Sequence, residues 1–136
     1  MPECQLLETA LYVGDLPRSR EFYSTLFGFE VMTQDDRFCA FSVPGRGVLL
    51  LFLQGATRSA VASPGGLIPP HDGSGQTHLA FAIAANELPV WEARLAEQGV
   101  PLESRVTWPR GGTSLYFRDP DEHLVELATP GVWPIY

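Results

Sequence analysis

The segment SLYFRDPDEHLVELATP, from Ser114 to Pro130, contains a carboxylate at a position where a strand would bury it. Its second half alternates apolar and polar residues, so Glu126 shares a strand face with the leucine and the alanine two positions away on either side. Burying a carboxylate is costly unless it is paired. We therefore identify Glu126 as a candidate site residue, with an ion pair to Arg105 or Arg110 as the alternative explanation.

Glu8 and His78 begin the two copies of an internal repeat, which end at Gly28 and Gly99. Each copy has an alternating strand, a polar residue, a proline suited to a first helical turn, an amphipathic helix and a terminal glycine. The predicted helix caps are Asp15 and Asn86. The apolar strand positions match at a constant offset of 70 residues, so Glu8 and His78 hold equivalent positions.

Each predicted helix is followed by three strand-like runs separated by turn signals. These runs are 29–34, 37–43 and 47–53 in the first copy and 101–107, 114–118 and 123–129 in the second. The predicted fold class is therefore α+β, with two paired βαβββ modules forming an open mixed sheet that encloses a cleft. We expect one domain over 1–136, made of module one (5–53), a linker or lid (54–76), module two (77–130) and a tail (131–136).

The composition of the chain indicates which classes of molecule it could bind. The net charge of −7 and the lack of a basic patch argue against nucleic acid. No apolar run approaches the roughly 20 residues of a membrane helix, and no signal peptide is evident, so we expect a cytoplasmic protein without a membrane partner. Cys4 and Cys39 are predicted to be reduced thiols, with a disulfide as the alternative. A small molecule or another protein remains as the partner.

The runs LYVGDLPRSREFYSTLFGFEV and LYFRDPDEHLVEL, in the paired βαβββ order, resemble the vicinal oxygen chelate superfamily. This group contains the glyoxalases, bleomycin-resistance proteins and extradiol dioxygenases. The resemblance implies metal ligands on the first and last strands of each module, which fall on Glu8, His78 and Glu126. The fourth position falls on Leu50, which cannot bind a metal. Resemblance to glyoxalase I further implies that a ligand glutamate, here Glu126, doubles as a catalytic base.

Two carboxylates and one imidazole make an open-sided site for a divalent ion. The candidates are Fe, Mn, Zn, Ni, Co and Mg, and the second carboxylate favours Fe, Mn or Mg. Two departures from the family pattern stand out. Many members have histidine where this chain has Glu8, and Glu122 replaces a turn glycine at a position expected to need a positive φ. The resemblance also implies a homodimer, with Glu8 from one chain and both His78 and Glu126 from the other.

Two functions are the main candidates, and a structural subunit with a vestigial site is a third alternative. The first is a metal-dependent small-molecule enzyme of the glyoxalase or dioxygenase type, in which the ion acts as a Lewis acid on vicinal oxygens of the substrate. The alternative is a metal-free binding protein that sequesters an aromatic antibiotic or other natural product. Three ligand-type residues at family positions favour the enzyme. The candidate substrate contacts, each with a surface or core role as its alternative, are Trp108, Arg110, Tyr116, His71 and Phe52.

Overall fold

The computed structural model describes all residues, 1–136. The chain forms two compact units, Met1–Gly75 and Gln76–Tyr136. The first unit contains β1 (Glu8–Val13), α1 (Leu16–Phe27), β2 (Glu30–Gln34), β3 (Phe38–Val43), β4 (Gly47–Leu53), β5 (Val61–Ser63) and β6 (Gly66–Ile68). The second contains β7 (His78–Ala82), a 3₁₀ turn (Ala85–Glu87), α2 (Leu88–Glu97), β8 (Ser104–Thr107), β9 (Thr113–Arg118) and β10 (Leu124–Ala128).

Both units have the same sheet topology. The strand order is β1-β4-β3-β2 in the first and β7-β10-β9-β8 in the second. In each sheet the first and last strands run parallel, and the other pairs are antiparallel. The α+β class and the repeated βαβββ order predicted from the sequence are confirmed.

The strand registers match between the two units as well. Glu8 lies opposite Val48 in the first sheet, and His78 lies opposite Leu124 in the second. Two residues further along, Leu50 faces Ala10 and Glu126 faces Ala80. Leu50 and Glu126 therefore occupy equivalent positions, in agreement with the assignment of the fourth ligand position to Leu50 from the sequence.

One face of each sheet forms the core, because side chains alternate between faces along a strand. On this core face the buried strand residues of the first unit are Leu11, Val13, Cys39, Phe41, Leu49 and Leu51. In the second they are Leu79, Leu115, Phe117, Val125 and Leu127. The residues between them, which include Glu8, His78 and Glu126, lie on the opposite face of their own sheet.

The two helices begin differently. Asp15 caps α1, accepting a 3.0 Å hydrogen bond from the backbone N–H of Arg18, and Gly28 ends the helix with a φ of 71°. The predicted cap of α2, Asn86, was wrong. The chain enters that helix through the 3₁₀ turn, and Glu87 occupies the capping position without a side-chain hydrogen bond.

The segment between the repeats is more ordered than its Gly, Pro and Ser content indicates. It includes the β5–β6 hairpin, whose strands have three residues each, too short to show an alternating pattern. Asp72 fixes the loop by accepting hydrogen bonds from Arg58 Nε at 2.7 Å and from the Gly55 N–H at 3.1 Å. The Arg58 hydrogen bond is the main cause that lowers the pKa of Asp72 to about 2.

The turn and the tail of the second unit show two unusual backbone features. Glu122 has a φ of 66°, which confirms the positive φ expected there. Gly112 lies so close to the tail that an added Cβ would come within 2.5 Å of the Gly131 carbonyl carbon. The tail is held by Tyr136, whose hydroxyl donates to the Ile83 carbonyl at 2.8 Å.

Two further observations bear on the expectations from composition. Cys4 is exposed and Cys39 is buried, and both are free thiols. Neither helix has the length and apolar character needed to cross a lipid bilayer.

Candidate functional site

His78 and Glu126 meet on the open face of the second sheet. β7 and β10 are parallel neighbours, and the opposite partner of His78 is Leu124, two residues before Glu126 on the same face. The two side chains are therefore diagonal neighbours, with His78 Nε2 at 3.2 Å from Glu126 Oε1. The imidazole is about half exposed, whereas the carboxylate is 9% exposed.

The remaining polar atoms of this pair are fixed by neighbouring groups. His78 Nδ1 lies 2.8 Å from the Leu124 carbonyl oxygen, which can only accept, so Nδ1 carries a proton and Nε2 is the ring nitrogen that faces Glu126. Glu126 Oε2 accepts a 2.5 Å hydrogen bond from the fully buried hydroxyl of Ser114. Trp108 Nε1 donates to the same hydroxyl oxygen at 2.8 Å. Trp108, Ser114, Glu126 and His78 thus form one chain of contacts.

Tyr116 completes the group. It faces Glu126 across the β9–β10 pair, and its ring centroid is 6.3 Å from that of His78. Burial is the main cause that raises the pKa of Tyr116, and the nearby Glu126 carboxylate raises it further. The phenol therefore keeps its proton at neutral pH, and it is hydrogen-bonded to Glu126.

The pair fits the donor set of a divalent ion. At metal–ligand distances of about 2.0–2.2 Å, two atoms 3.2 Å apart subtend about 100° at the ion, between the octahedral and tetrahedral angles. Metal-binding histidines commonly donate their other N–H to a backbone carbonyl, and ligating carboxylates are themselves hydrogen-bonded. His78 and Glu126 show both features.

Two ligands alone do not make a complete site. Within neither unit do three or more His, Cys, Asp or Glu side chains converge into a group that could hold an ion. The third predicted ligand, Glu8, belongs to the first unit, where it begins β1 with its side chain exposed.

The ion pair considered as an alternative for Glu126 is not formed with Arg105. The Arg105 guanidinium binds Glu92 on α2, with Nη1 at 2.8 Å from Oε1. Arg110 is exposed on the β8–β9 hairpin. The contacts of Glu126 are instead with Ser114, His78 and Tyr116.

The other two predicted substrate contacts, Phe52 and His71, lie together in the first unit. Both line a cavity of about 210 Å³ beside the β5–β6 hairpin. Their rings are 4.6 Å apart between centroids in an edge-to-face arrangement. His71 Nδ1 also lies 2.6 Å from the Tyr12 hydroxyl oxygen.

Ser114 is the functional candidate that the sequence analysis missed. A single serine in an alternating strand looks like any polar strand residue. The available signal was its spacing: Ser114, Tyr116 and Arg118 share one face of β9, and the antiparallel partner β10 carries Glu126 on that face. Pairing the two strands through the Asp-Pro-Asp turn would have placed Ser114 one diagonal step from Glu126.

The comparisons with known proteins agree with this architecture. The family model for the Glyoxalase/Bleomycin resistance protein/Dioxygenase superfamily matches residues 5–127. The solved structure of lactoylglutathione lyase from Agrobacterium tumefaciens superimposes with a TM-score of 0.88 and 33% identity, covering 98% of this chain and 99% of that one.

Two curated relatives have different activities. The metallothiol transferase FosB of Bacillus licheniformis is 30% identical over 122 residues, which cover 89% of this chain and 72% of the relative. The catechol-2,3-dioxygenase of Bacillus subtilis is 30% identical over 121 residues, covering 86% of this chain and 38% of that protein. On the family match across most of its length, this chain belongs to the glyoxalase/bleomycin resistance protein/dioxygenase superfamily.

Proposed function

We propose that the protein is a metal-dependent enzyme acting on a small molecule, with a divalent ion held by His78, Glu126 and Glu8. The observation that carries the proposal is the His78–Glu126 pair, whose donor atoms lie 3.2 Å apart and whose other polar atoms are already bonded. Similarity to a metallothiol transferase, a lyase and a dioxygenase supports a family with varied reactions at a common type of site.

The residues would divide the chemistry between them. A bound divalent ion supplies Lewis acidity toward adjacent oxygens of the substrate. His78 presents Nε2 because its Nδ1–H is committed to the Leu124 carbonyl. Glu126 is also the proposed base, with Oε1 as the oxygen that the Ser114 hydroxyl does not engage. Tyr116 is the proposed hydrogen-bond donor to an oxygen of the bound molecule, in exchange for its hydrogen bond with Glu126.

Substrate contacts are proposed for both units. In the second unit these are Trp108, Arg110 and Tyr116, and in the first they are Phe52 and His71. Arg110, exposed on its hairpin, suits an anionic or carbonyl group. A homodimer in the cytoplasm, in which the ligands come from two chains, completes the proposal.

Metal content tests the proposal directly. Protein purified without chelator should contain about one divalent ion per chain by mass spectrometry of the elements, or take one up after incubation with Mn, Fe, Co, Ni or Zn. Glu126→Gln keeps the shape of the side chain and removes its charge, so it should abolish uptake. Glu103→Gln is the matched control, since Glu103 is an exposed glutamate of the same unit bound to Arg118 at 2.7 Å.

The third ligand needs its own comparison. Glu8→Gln should weaken ion binding, whereas Glu30→Gln, at an exposed position of the same sheet, should leave it unchanged. Native protein that neither contains nor takes up any of these ions would overturn the proposal. In that case the metal-free sequestering protein predicted as the alternative would take its place.

A further inference from the structure

We propose that the first unit carries a preformed pocket for a small aromatic ligand bearing an acidic oxygen, a phenol or a benzoate-type carboxylate. All its lining residues belong to the first unit, between Arg37 and His71. If this ligand is the substrate, the pocket identifies the class of molecule on which the proposed enzyme acts. Only that identification depends on the proposed function, and the binding of the ligand does not.

The size and walls of the pocket match one aromatic ring. Its volume is about 210 Å³, and a dry cavity of about 150 Å³ lined by similar side chains is enough to bind benzene. The apolar wall is formed by Phe38, Leu50, Phe52, Val61 and Ile68. Two of these are aromatic, and aromatic pairs gain from stacked or edge-to-face contact beyond the burial of their area.

The polar end of the pocket is small and suited to an anion. Arg37 lines it, and the only carboxylate within ion-pair distance of its guanidinium is Asp35, at 3.5 Å. That separation is longer than a charge-assisted hydrogen bond, so the guanidinium can also bind a ligand oxygen. His71 lines the same pocket, and because Tyr12 engages its Nδ1, Nε2 is the ring nitrogen left for a ligand. These groups favour an acidic oxygen on the ring.

The loop that bears His71 is held in place without a ligand. The His71 N–H donates to the Thr57 carbonyl at 2.9 Å, and the Thr57 hydroxyl donates back to the His71 carbonyl. Asp72 binds both Arg58 and the Gly55 N–H. A pocket that is already formed spends little of its binding energy on ordering the chain.

The internal repeat shows how this pocket differs from the metal-ligand pair. Leu50 and Phe38 of the first unit occupy the sheet positions that Glu126 and Ser114 occupy in the second. One copy of the repeat therefore has a hydrogen-bonded carboxylate at this place, and the other has the apolar wall of a pocket. At equivalent positions the second unit presents polar donor atoms and the first unit presents an apolar surface.

Nuclear magnetic resonance of the full chain in the presence of EDTA tests the pocket without any metal. Titration with benzoate or phenol should shift backbone amides of residues 37–38, 50–52 and 57–71, with a Kd on the order of 1 mM or tighter. Acetate, which has the acidic group without the ring, should cause no saturable shifts. Binding in EDTA keeps this result separate from the metal test, so either proposal can fail alone.

A pair of neighbouring substitutions locates the binding. Ile68 and Leu67 are adjacent, exposed residues of β6, but only Ile68 lines the pocket. Ile68→Glu should weaken benzoate binding at least about tenfold, because it puts a carboxylate against the apolar wall, while Leu67→Glu should stay within about twofold of native. No saturable binding to native protein, equal loss in both variants, or shifts confined to β10 would each overturn the proposal.

Discussion

Ser114→Ala is the sharpest test of how the site is built. The substitution removes one oxygen atom and keeps the strand residue small. That oxygen donates to Glu126 Oε2 at 2.5 Å and accepts from Trp108 Nε1 at 2.8 Å. Because Ser114 is fully buried, water cannot enter to replace the hydroxyl without rearrangement.

Two losses are expected, with separate sizes. A hydrogen bond to a charged group contributes about 1.5–3 kcal/mol, so the free energy of unfolding should fall by that amount in EDTA. Removing an outer partner of a metal ligand typically lowers metal affinity about 10–100-fold. The second loss arises because the carboxylate of Glu126 can then rotate away from His78 Nε2.

The assay measures both quantities on the same protein. Urea unfolding in EDTA gives stability, and calorimetric titration with Mn²⁺ gives affinity. Ser104→Ala is the control, because Ser104 is an exposed serine on the same face of the neighbouring strand β8. It should change neither quantity by more than about 0.5 kcal/mol.

The Mn²⁺ affinity of the Ser114→Ala variant decides whether the hydroxyl positions Glu126. If Ser114→Ala loses stability but binds Mn²⁺ as tightly as native protein, the hydroxyl supports the strand and does not position Glu126. If neither quantity changes, the hydrogen bonds drawn from the structure contribute nothing, and the argument for an oriented carboxylate is wrong.

Three further predictions concern stability. Glu122→Gly should raise the free energy of unfolding by about 1 kcal/mol, because its φ of 66° disfavours any side chain, whereas Glu122→Ala should give no such gain in urea unfolding. Gly112→Ala should cost about 1–3 kcal/mol through its clash with Gly131, and Gly65→Ala, with open space around it, serves as its control. Asp72→Asn should lower the urea midpoint near neutral pH. Because the folded pKa of Asp72 is about 2 against an ordinary 3.8, its contribution is present above 3.8, and the difference from native should vanish as pH falls towards 2.

Periodicity and the repeat were enough to predict the helix and the four main strands of each copy. The strands and helices of both copies were predicted at nearly their observed places because each element carries its own signal. Asp15, Pro17 and Gly28 mark the limits of α1, apolar runs mark β3 and β4, and apolar residues interleaved with polar ones mark β9 and β10. Asn86 failed as a cap because the backbone forms a 3₁₀ turn before α2. The residue types alone do not distinguish a helix that begins directly at a cap from one that is preceded by a 3₁₀ turn.

The hydrogen bonds of the site could not be predicted in the same way. That Glu126 needs a partner followed from its apolar neighbours alone. Which partner it has depends on strand register, and register is fixed by the whole sheet. The pocket beside Phe52 depends in turn on the β5–β6 hairpin, whose two strands are too short for a periodic signal.

The identity of the partners of Glu126 also bears on what the carboxylate is for. An arginine beside it would have neutralised its charge and left a structural ion pair. Arg105 instead binds Glu92, and the groups around Glu126 are a hydroxyl, a phenol and an imidazole whose Nδ1 carries a proton. Through Oε1 and Nε2, Glu126 and His78 present two donor atoms 3.2 Å apart on the same face of the sheet. A buried carboxylate without a guanidinium or ammonium partner favours a bound cation, and that is the physical reason to look for a metal ion at this face of the sheet.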